Sequence, residues 1–504
     1  MGNQSSKTST HVVGNTLSVV TVDPNKKTDK MTPETQAKPM VIFTGPNFES
    51  ELTCGESPFK TPSSVAKDDT SASGTARTLL TEPSGDETAS VVSSLSNSIS
   101  EKPSRAIKKW DGKKLFSDLI LDGMQYLDQR DSEGVMIFEA PSSSEDGGSS
   151  FYNTQVFRFL DYPPGSPINK VVLRPCRYAM MNGDSLPVFL PEQPEGLVQH
   201  WQKTIPDFVT PTFVKTIPDK GKIYAYLPLE HVEGDYINKR NVHYHLAGKE
   251  ALHLMSSRTP RLLSNTNDER PCVAKTTHSM GSKGIFVIRN DKDEEEFNNF
   301  LAEAGNPTFV VTEFVEIERN VACHFFLHPN GDIIWIGSNE NLKKPDGSWS
   351  SDSIISMASQ DELREMQLPF VKDVAAYCES INFWGFMGID VLFDKSGKGY
   401  LVDLNPRVTG SCPTIMLARQ LQSRFGFENC IMRRSAKGVY PGSSAELLTK
   451  VEAFNESHRG ETMVILNSFY QTSPETTNVN VIVVGKGSIE SLAPFVEEFA
   501  PMRS

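Results

Sequence analysis

A chain of 504 residues, 38% hydrophobic and 22% charged, has length for about three domains and ample apolar content for a large core. Its 63 acidic against 50 basic residues give a formal charge of −13, which argues against generic nucleic-acid binding through a basic surface. Seven cysteines (54, 176, 272, 323, 378, 412, 430) form no C-x-x-C pair and no zinc spacing, so a reduced, cytoplasmic compartment is expected; no stretch reads as a transmembrane helix or a secretory signal.

Residues 1–105 are rich in Ser, Thr, Pro and Lys, hold no Trp or Tyr and only three Phe (43, 48, 59). They offer too little apolar area to offset their ordering entropy, and a disordered tail is expected. Met1-Gly2-Asn3-Gln4-Ser5-Ser6 fits the M-G-x-x-x-[ST] pattern for myristoylation of Gly2. One such chain holds a membrane only marginally, and Lys7, Lys26, Lys27 and Lys30 are too dispersed to form a polybasic patch, so weak association at most is expected. From Trp110 the composition changes. Leu115, Phe116, Leu119, Ile120, Leu121, Met124 and Leu127 predict a helix over 114–127. A Ser/Gly-rich loop follows at 141–150, and Val171–Leu173 and Ile223–Leu227 read as buried strands, which makes 106–240 a small α/β domain.

The segment from Asn241 predicts a helix from about Gly248 to Ser257, closed by Pro260. His243 and His245 alternate as a metal pair could, but without a third ligand they are read as structural. Cys272 to Asn290 reads as strand, loop, strand. Gly281-Ser282-Lys283-Gly284 closes that loop, where successive N–H groups form an anion-binding concavity; there is no P-loop in the chain. Two further strands, Phe309–Val315 and Val321–Leu327, flank the charged link Glu316–Asn320. Gly337–Ser353 is polar and Gly-rich and reads as a long loop, with Asn341, Lys343 and Lys344 as substrate contacts or plain surface. Ser359–Glu362 reads as a capping box opening a helix to about Ser380, kinked at Pro369 and apolar at Leu363, Met366, Phe370, Val371 and Val374.

Gly385 to Ser411 organises the rest. Ile389–Asp394 and Tyr400–Asn405 alternate apolar and polar residues around the turn Lys395–Gly399, predicting a hairpin in which Asp390 lies near Asp403 while Asp403 and Asn405 share a face. Facing carboxylates repel unless a cation sits between them, and hard oxygen donors suit Mg²⁺ or Mn²⁺; ordinary surface acids on an exposed hairpin give the same pattern. Arg407 adds a donor fork for phosphate or carboxylate. Beyond Gln420, Met463–Phe469 and Val479–Val484 read as paired strands and Ser488–Phe499 as a helix, a C-terminal α/β extension over 426–504.

With its D-x-N-P-R and trailing Gly-Ser, this hairpin resembles the metal-binding end of the ATP-grasp superfamily, the fold of D-alanyl-D-alanine ligases, biotin carboxylases and many amino-acid ligases. The resemblance spans roughly Asn241 to Gln420, although the superfamily usually has Glu where this chain has Asp403. It implies an α/β ATP-grasp domain over 241–425, preceded by a substrate-side domain, with ATP and Mg²⁺ or Mn²⁺ as cofactors. Asp390, Asp403 and Asn405 are then the implied metal ligands, and Lys249 and Lys275 the nucleotide lysines. Ser282 and Gly284 belong to a phosphate lid, Glu313 and the backbone of Val315 to the adenine edge, and Glu318 or Asn320, in a shifted frame, to the ribose. Arg407 would steady the transferred phosphoryl group or the acyl phosphate. The implied reaction joins a carboxylate to an amine, of an amino acid or small peptide, through an acyl phosphate with release of ADP and phosphate. A membrane-associated, non-catalytic ATP-binding regulator and a small-molecule kinase are the alternatives.

Overall fold

The computed structural model describes residues 10–13, 16–19, 105–127, 133–138, 156–160, 175–190, 192–230, 232–279, 284–343, 349–434 and 438–502. Gly2, the loop at 141–150, Val171–Leu173, Ser282 and Lys344 lie outside them. The chain divides into a unit over Met1–Gly45 and one over Pro46–Ser504. In the first, Thr10–Val13 pairs antiparallel with Thr16–Val19.

Among the described residues, the second unit carries three sheets. One is a five-stranded parallel sheet in the order 213–214, 188–189, 134–137, 222–225, 235–236. Beside it the helix Phe116–Tyr126 buries Phe116, Leu119, Ile120 and Met124 on the predicted face, in the largest core cluster. It starts two residues late because Asp118 accepts the backbone N–H of Leu115 (2.7 Å) and fixes the first turn there. The second sheet is antiparallel and four-stranded, ordered 285–288, 272–276, 309–313, 262–263. The helix Asp291–Glu303, capped by the side chain of Asn290, covers it through Phe297 and Leu301.

The third sheet has ten strands and holds the hairpin at one edge. Its main path runs 399–405, 385–393, 319–327, 333–343, 349–356, 429–433, 476–485, 439–440; Thr462–Ser473 pairs with 476–485, and Ile107–Lys109 lies parallel to the 333–343 strand. Period-two alternation divides its edge into two faces. Val321, Cys323, Phe325, Ile389, Val391, Leu401 and Leu404 pack with Leu363, Phe370, Val371 and Val374 of the helix Gln360–Ser380. Burying each such side chain is worth about 1.5–3 kcal/mol. The opposite face carries His324, Asp390, Asp403 and Asn405, and it builds the site.

Several expectations need correction. The described residues of the stretch 337–353 are strand and not loop: Ile333–Lys343 and Trp349–Ser356 pair antiparallel. Its first strand is polar on both faces, because Ser338 bonds Gln360 and Gln367 on one side while Asn339 bonds His324 on the other. Ser359 forms no capping box; its hydroxyl donates to the Ser356 carbonyl (3.2 Å), although the helix itself runs to Ser380 with Pro369 inside it, as expected. Arg240–Leu246 is helical ahead of a 3₁₀ turn at Lys249–Ala251 and a short helix at Leu252–Met255. His243 and His245, two apart on that helix, therefore point to different neighbours, Phe383 and Tyr377. Residues beyond 425 are continuous with the central sheet, since Asn429–Arg433 pairs with both Trp349–Ser356 and Thr476–Gly485.

Candidate active site

Asp390 and Asp403 are cross-strand neighbours in the hairpin, and Asp390 stands opposite Ala322 on its other side. Burial first, and then the charge of Asp403, push the Asp390 carboxyl up to about 7, while Lys249, Arg434 and Arg407 pull the other way. Lys249, 5% exposed, comes from the turn after Gly248 and forms an ion pair with Asp403. Its backbone N–H donates to the Thr277 carbonyl (3.0 Å), which ties that turn to the four-stranded sheet. Lys275, also buried, reaches across from this sheet with its ammonium 3.4 Å from the Val402 carbonyl. Burial and the charge of Lys249 lower it to about 8, against the pull of Asp403 and Asp390. Two acids and two lysines from three separate elements thus share one polar space.

Asn405 accepts from the Arg407 guanidinium, and its carbonyl accepts the Arg407 backbone N–H (2.7 Å). The buried Arg407 lies over the Tyr226 ring, 4.7 Å from its centroid. The loop that carries it is pinned from beneath. The Val408 N–H donates to the Tyr224 hydroxyl (3.1 Å), and Thr409 and Ser411 lie 2.7 and 3.2 Å from opposite nitrogens of His324. His324 Nε2 donates to Asn339 Oδ1 (2.9 Å), which leaves Nδ1 to accept from Thr409. Gly388 makes room for this arrangement, since a Cβ there would stand 2.3 Å from Thr409 Cγ2.

Burial lowers both His324 and His200 to about 4; Nε2 of His200 accepts the Leu466 N–H (2.9 Å). Both rings are neutral when folded and take a proton first when unfolded, so their contribution to stability is complete above the ordinary value of 6.5 and is lost as pH falls from there toward 4. At about 1.4 kcal/mol per pH unit, each ring accounts for on the order of 3 kcal/mol. The melting temperature is expected to drop across that window. His200→Gln, less stable than the parent at pH 7.5, should lose less of its stability over the same interval.

The structure brings Lys249, Lys275, Asp390, Asp403, Asn405 and Arg407 together. Asn320 lies on the same sheet face, opposite Leu392 and two residues from the partner of Asp390. Gly284 has φ +73° and accepts the Thr276 N–H (2.9 Å); a Cβ there would lie 2.1 Å from Thr276 Oγ1, so a glycine is needed at the base of that loop. Ser282 lies outside the described residues. Glu313 accepts the Arg261 N–H (3.0 Å), Val315 is buried, and Glu318 is exposed with its N–H on the Phe393 carbonyl (2.8 Å). Among the described residues no hydrogen bond or ion pair joins these three to the acid pair.

Among the described residues no three His, Cys, Asp or Glu side chains converge as a metal cage. Mg²⁺ needs none: it is held by one or two carboxylates with phosphate and water, and two neighbouring acids, one of which resists ionisation through burial and the charge of the other, suit such a cation. Sequence reasoning missed His324 and Tyr226, which support the Thr409 loop and Arg407, and Arg177 with Tyr178, whose ring lies 5.2 Å from that of Tyr226. For His324 a signal was present, a polar residue at an alternate position of an apolar strand.

Residues 258–405 match a protein-family model described as "L-aspartate--L-methionine ligase, ATP grasp". Over 145 residues the chain is 26% identical to the biotin carboxylase of Nostoc sp., a match spanning 27% of this chain and 31% of that enzyme. Among solved structures, the N5-carboxyaminoimidazole synthetase of Staphylococcus aureus complexed with ADP is 14% identical, with 73% of this chain and 97% of that one covered at a TM-score of 0.45. The L-amino acid ligase of Bacillus licheniformis is 13% identical, with 52% and 72% covered at a TM-score of 0.34.

Proposed function

Taking residues 258–405 as an ATP-grasp module of the carboxylate-amine ligase kind, we propose that the protein uses ATP to join a carboxylate to an amine, with an amino acid or short peptide as substrate. The observation that carries this reading is the meeting of Asp390, Asp403, Asn405, Lys249, Lys275 and Arg407 on one polar face. Lys249 and Lys275 bind phosphate oxygens and orient the nucleotide. Asp390, Asp403 and Asn405 are the residues that would hold Mg²⁺, and the ion supplies charge neutralisation between phosphates. On nucleotide binding Lys249 exchanges its contact with Asp403 for a phosphate.

Arg407 holds the substrate carboxylate in line with the γ-phosphate, its own direction fixed by Asn405 and the Tyr226 ring. A carboxylate oxygen attacks the γ-phosphorus and the bond to the ADP oxygen breaks. The amine nitrogen then attacks the acyl carbon, phosphate leaves, and the nitrogen loses a proton, giving amide, ADP and phosphate. The test is purified protein with ATP, Mg²⁺, pooled amino acids and hydroxylamine. Hydroxamate is expected in step with ADP; ADP without hydroxamate from every pool would favour a kinase, and bound ATP without ADP a regulator.

A further inference from the structure

Residues 156–160 alternate between exposed and buried, so that Phe157 and Phe159 turn into the protein while Val156 and Arg158 stay at its surface. The segment precedes the ATP-grasp module in the chain, yet it bridges to that module's four-stranded sheet. At its start the Val156 N–H donates to the Glu230 carboxylate (3.1 Å), and the Arg240 guanidinium lies 6.0 Å from the centroid of the Phe157 ring. At its end the Leu160 N–H donates to the His278 carbonyl (3.1 Å), just past the strand Cys272–Thr276. Between them Arg158 donates to the carbonyl of Ala304 (3.1 Å), the C-cap of the helix Asp291–Glu303, where an orphan acceptor and the helix dipole both favour a cationic donor.

Beneath the segment lies an aromatic stack. The Tyr244 and His278 rings are parallel with centroids 3.8 Å apart, and the Phe159 ring, 3% exposed, stands nearly perpendicular to both at 5.5 and 5.7 Å. The Tyr244 hydroxyl donates to the Arg158 carbonyl (2.9 Å). His278 Nε2 donates to the Tyr244 carbonyl (3.0 Å), which leaves Nδ1 to accept from the Thr277 hydroxyl (3.1 Å). Burial lowers His278 to about 4, so the stacked ring is neutral.

The strand end held in this way carries the nucleotide lysines. Lys275 lies three residues before His278, and the Thr277 carbonyl between them accepts the Lys249 N–H (3.0 Å). The other anchor, Glu230, lies just beyond Tyr224 and Tyr226, which support Val408 and Arg407. The segment thus runs from the supports of Arg407 to those of Lys249 and Lys275. We infer that Phe159, Tyr244 and Arg158 are positioning residues, which set the spacing between the two nucleotide lysines and Arg407 that phosphoryl transfer requires. They act through the strand end at Thr277–His278 and the helix end at Ala304. This inference rests on the reading of the site as one for ATP and a carboxylate.

The experiment measures ATP affinity of the full chain by titration calorimetry with Mg²⁺, beside turnover with hydroxylamine and pooled amino acids. Tyr244→Phe and Arg158→Ala, which each remove one hydrogen bond, should each weaken ATP binding about threefold, and Phe159→Ala about tenfold. In Phe159→Ala the hydroxamate formed per ADP should also fall about threefold, as a misplaced γ-phosphate goes to water, and Phe159→Leu should recover most of both losses. Phe454→Ala is the control: it empties a buried site among the C-terminal helices, so it should lower the melting temperature and leave ATP affinity unchanged. Should Phe159→Ala fail to fold, Tyr244→Phe and Arg158→Ala decide. ATP affinity equal to the parent's in every folded variant, or weakened as much by Phe454→Ala, overturns the proposal and leaves the ATP reading standing. A parent protein that binds no ATP overturns both.

Discussion

Asp403→Asn is expected to lower turnover about a thousandfold, which corresponds to about 4 kcal/mol of transition-state stabilisation. The position has two functions that the substitution separates. In the nucleotide-free protein Asp403 neutralises Lys249, whose side chain is only 6% exposed against 24% for Asp403. Removing that charge strands an ammonium inside the protein. Breaking a fully buried pair costs about 3–5 kcal/mol, and the partial exposure of Asp403 reduces this to roughly 2–3 kcal/mol, readable as a shift in a urea melt. The larger effect falls on chemistry, since one of two charged oxygen donors is gone. Asp403→Glu keeps the charge and lengthens the reach by one methylene, and should retain turnover within about tenfold. If Asp403→Asn keeps turnover within threefold of the parent at a temperature where both are folded, the acid pair does not hold the cation.

Lys275→Ala is expected to raise the KM for ATP about thirtyfold, as the loss of one charge-assisted bond to phosphate requires, with a smaller loss in kcat. The pH dependence makes this specific to the ammonium. Burial and Lys249 hold Lys275 near 8, so raising the pH through that value removes its proton and its attraction for phosphate. In the parent protein ATP affinity should therefore weaken above about pH 8, whereas in Lys275→Ala this slope should be absent. Isothermal titration with ATP and Mg²⁺ at pH 7 and pH 9.5 reads both effects. A variant that keeps the parent's slope would place the titrating group elsewhere.

The hairpin was legible because its strands alternate cleanly and its turn is built of Gly, Ser and Lys. Asp390 pairs with Asp403 even though a bulge interrupts the ladder beside it. The strands at 333–343 and 349–356 were not legible, because periodicity detects a strand only when one face is apolar. Ser338 and Asn339 bond on opposite faces of theirs. The continuity of residues beyond 425 with the central sheet was hidden for another reason: Asn429–Arg433 lies between Trp349–Ser356 and Thr476–Gly485, partners far from it and from each other in the chain, and local pattern carries no information on such pairing. The same limit explains why Arg177, far from Arg407 in the chain, gave no sign of packing against the loop that carries it. Lys249 and Lys275 were singled out through the resemblance and Arg407 by its place after the hairpin; the fold brings the three together, and their electrostatics depend on burial that only the fold supplies.

The central claim is that a substrate carboxylate oxygen attacks ATP, and isotope transfer tests it most directly. Substrate labelled with ¹⁸O in its carboxylate is turned over with ATP, Mg²⁺ and an amine, and the released phosphate is analysed by mass spectrometry. One labelled oxygen should appear in each phosphate formed, because the acyl carbon–oxygen bond breaks when the amine attacks. Phosphate free of label, or label retained in a phosphorylated product, would contradict the account.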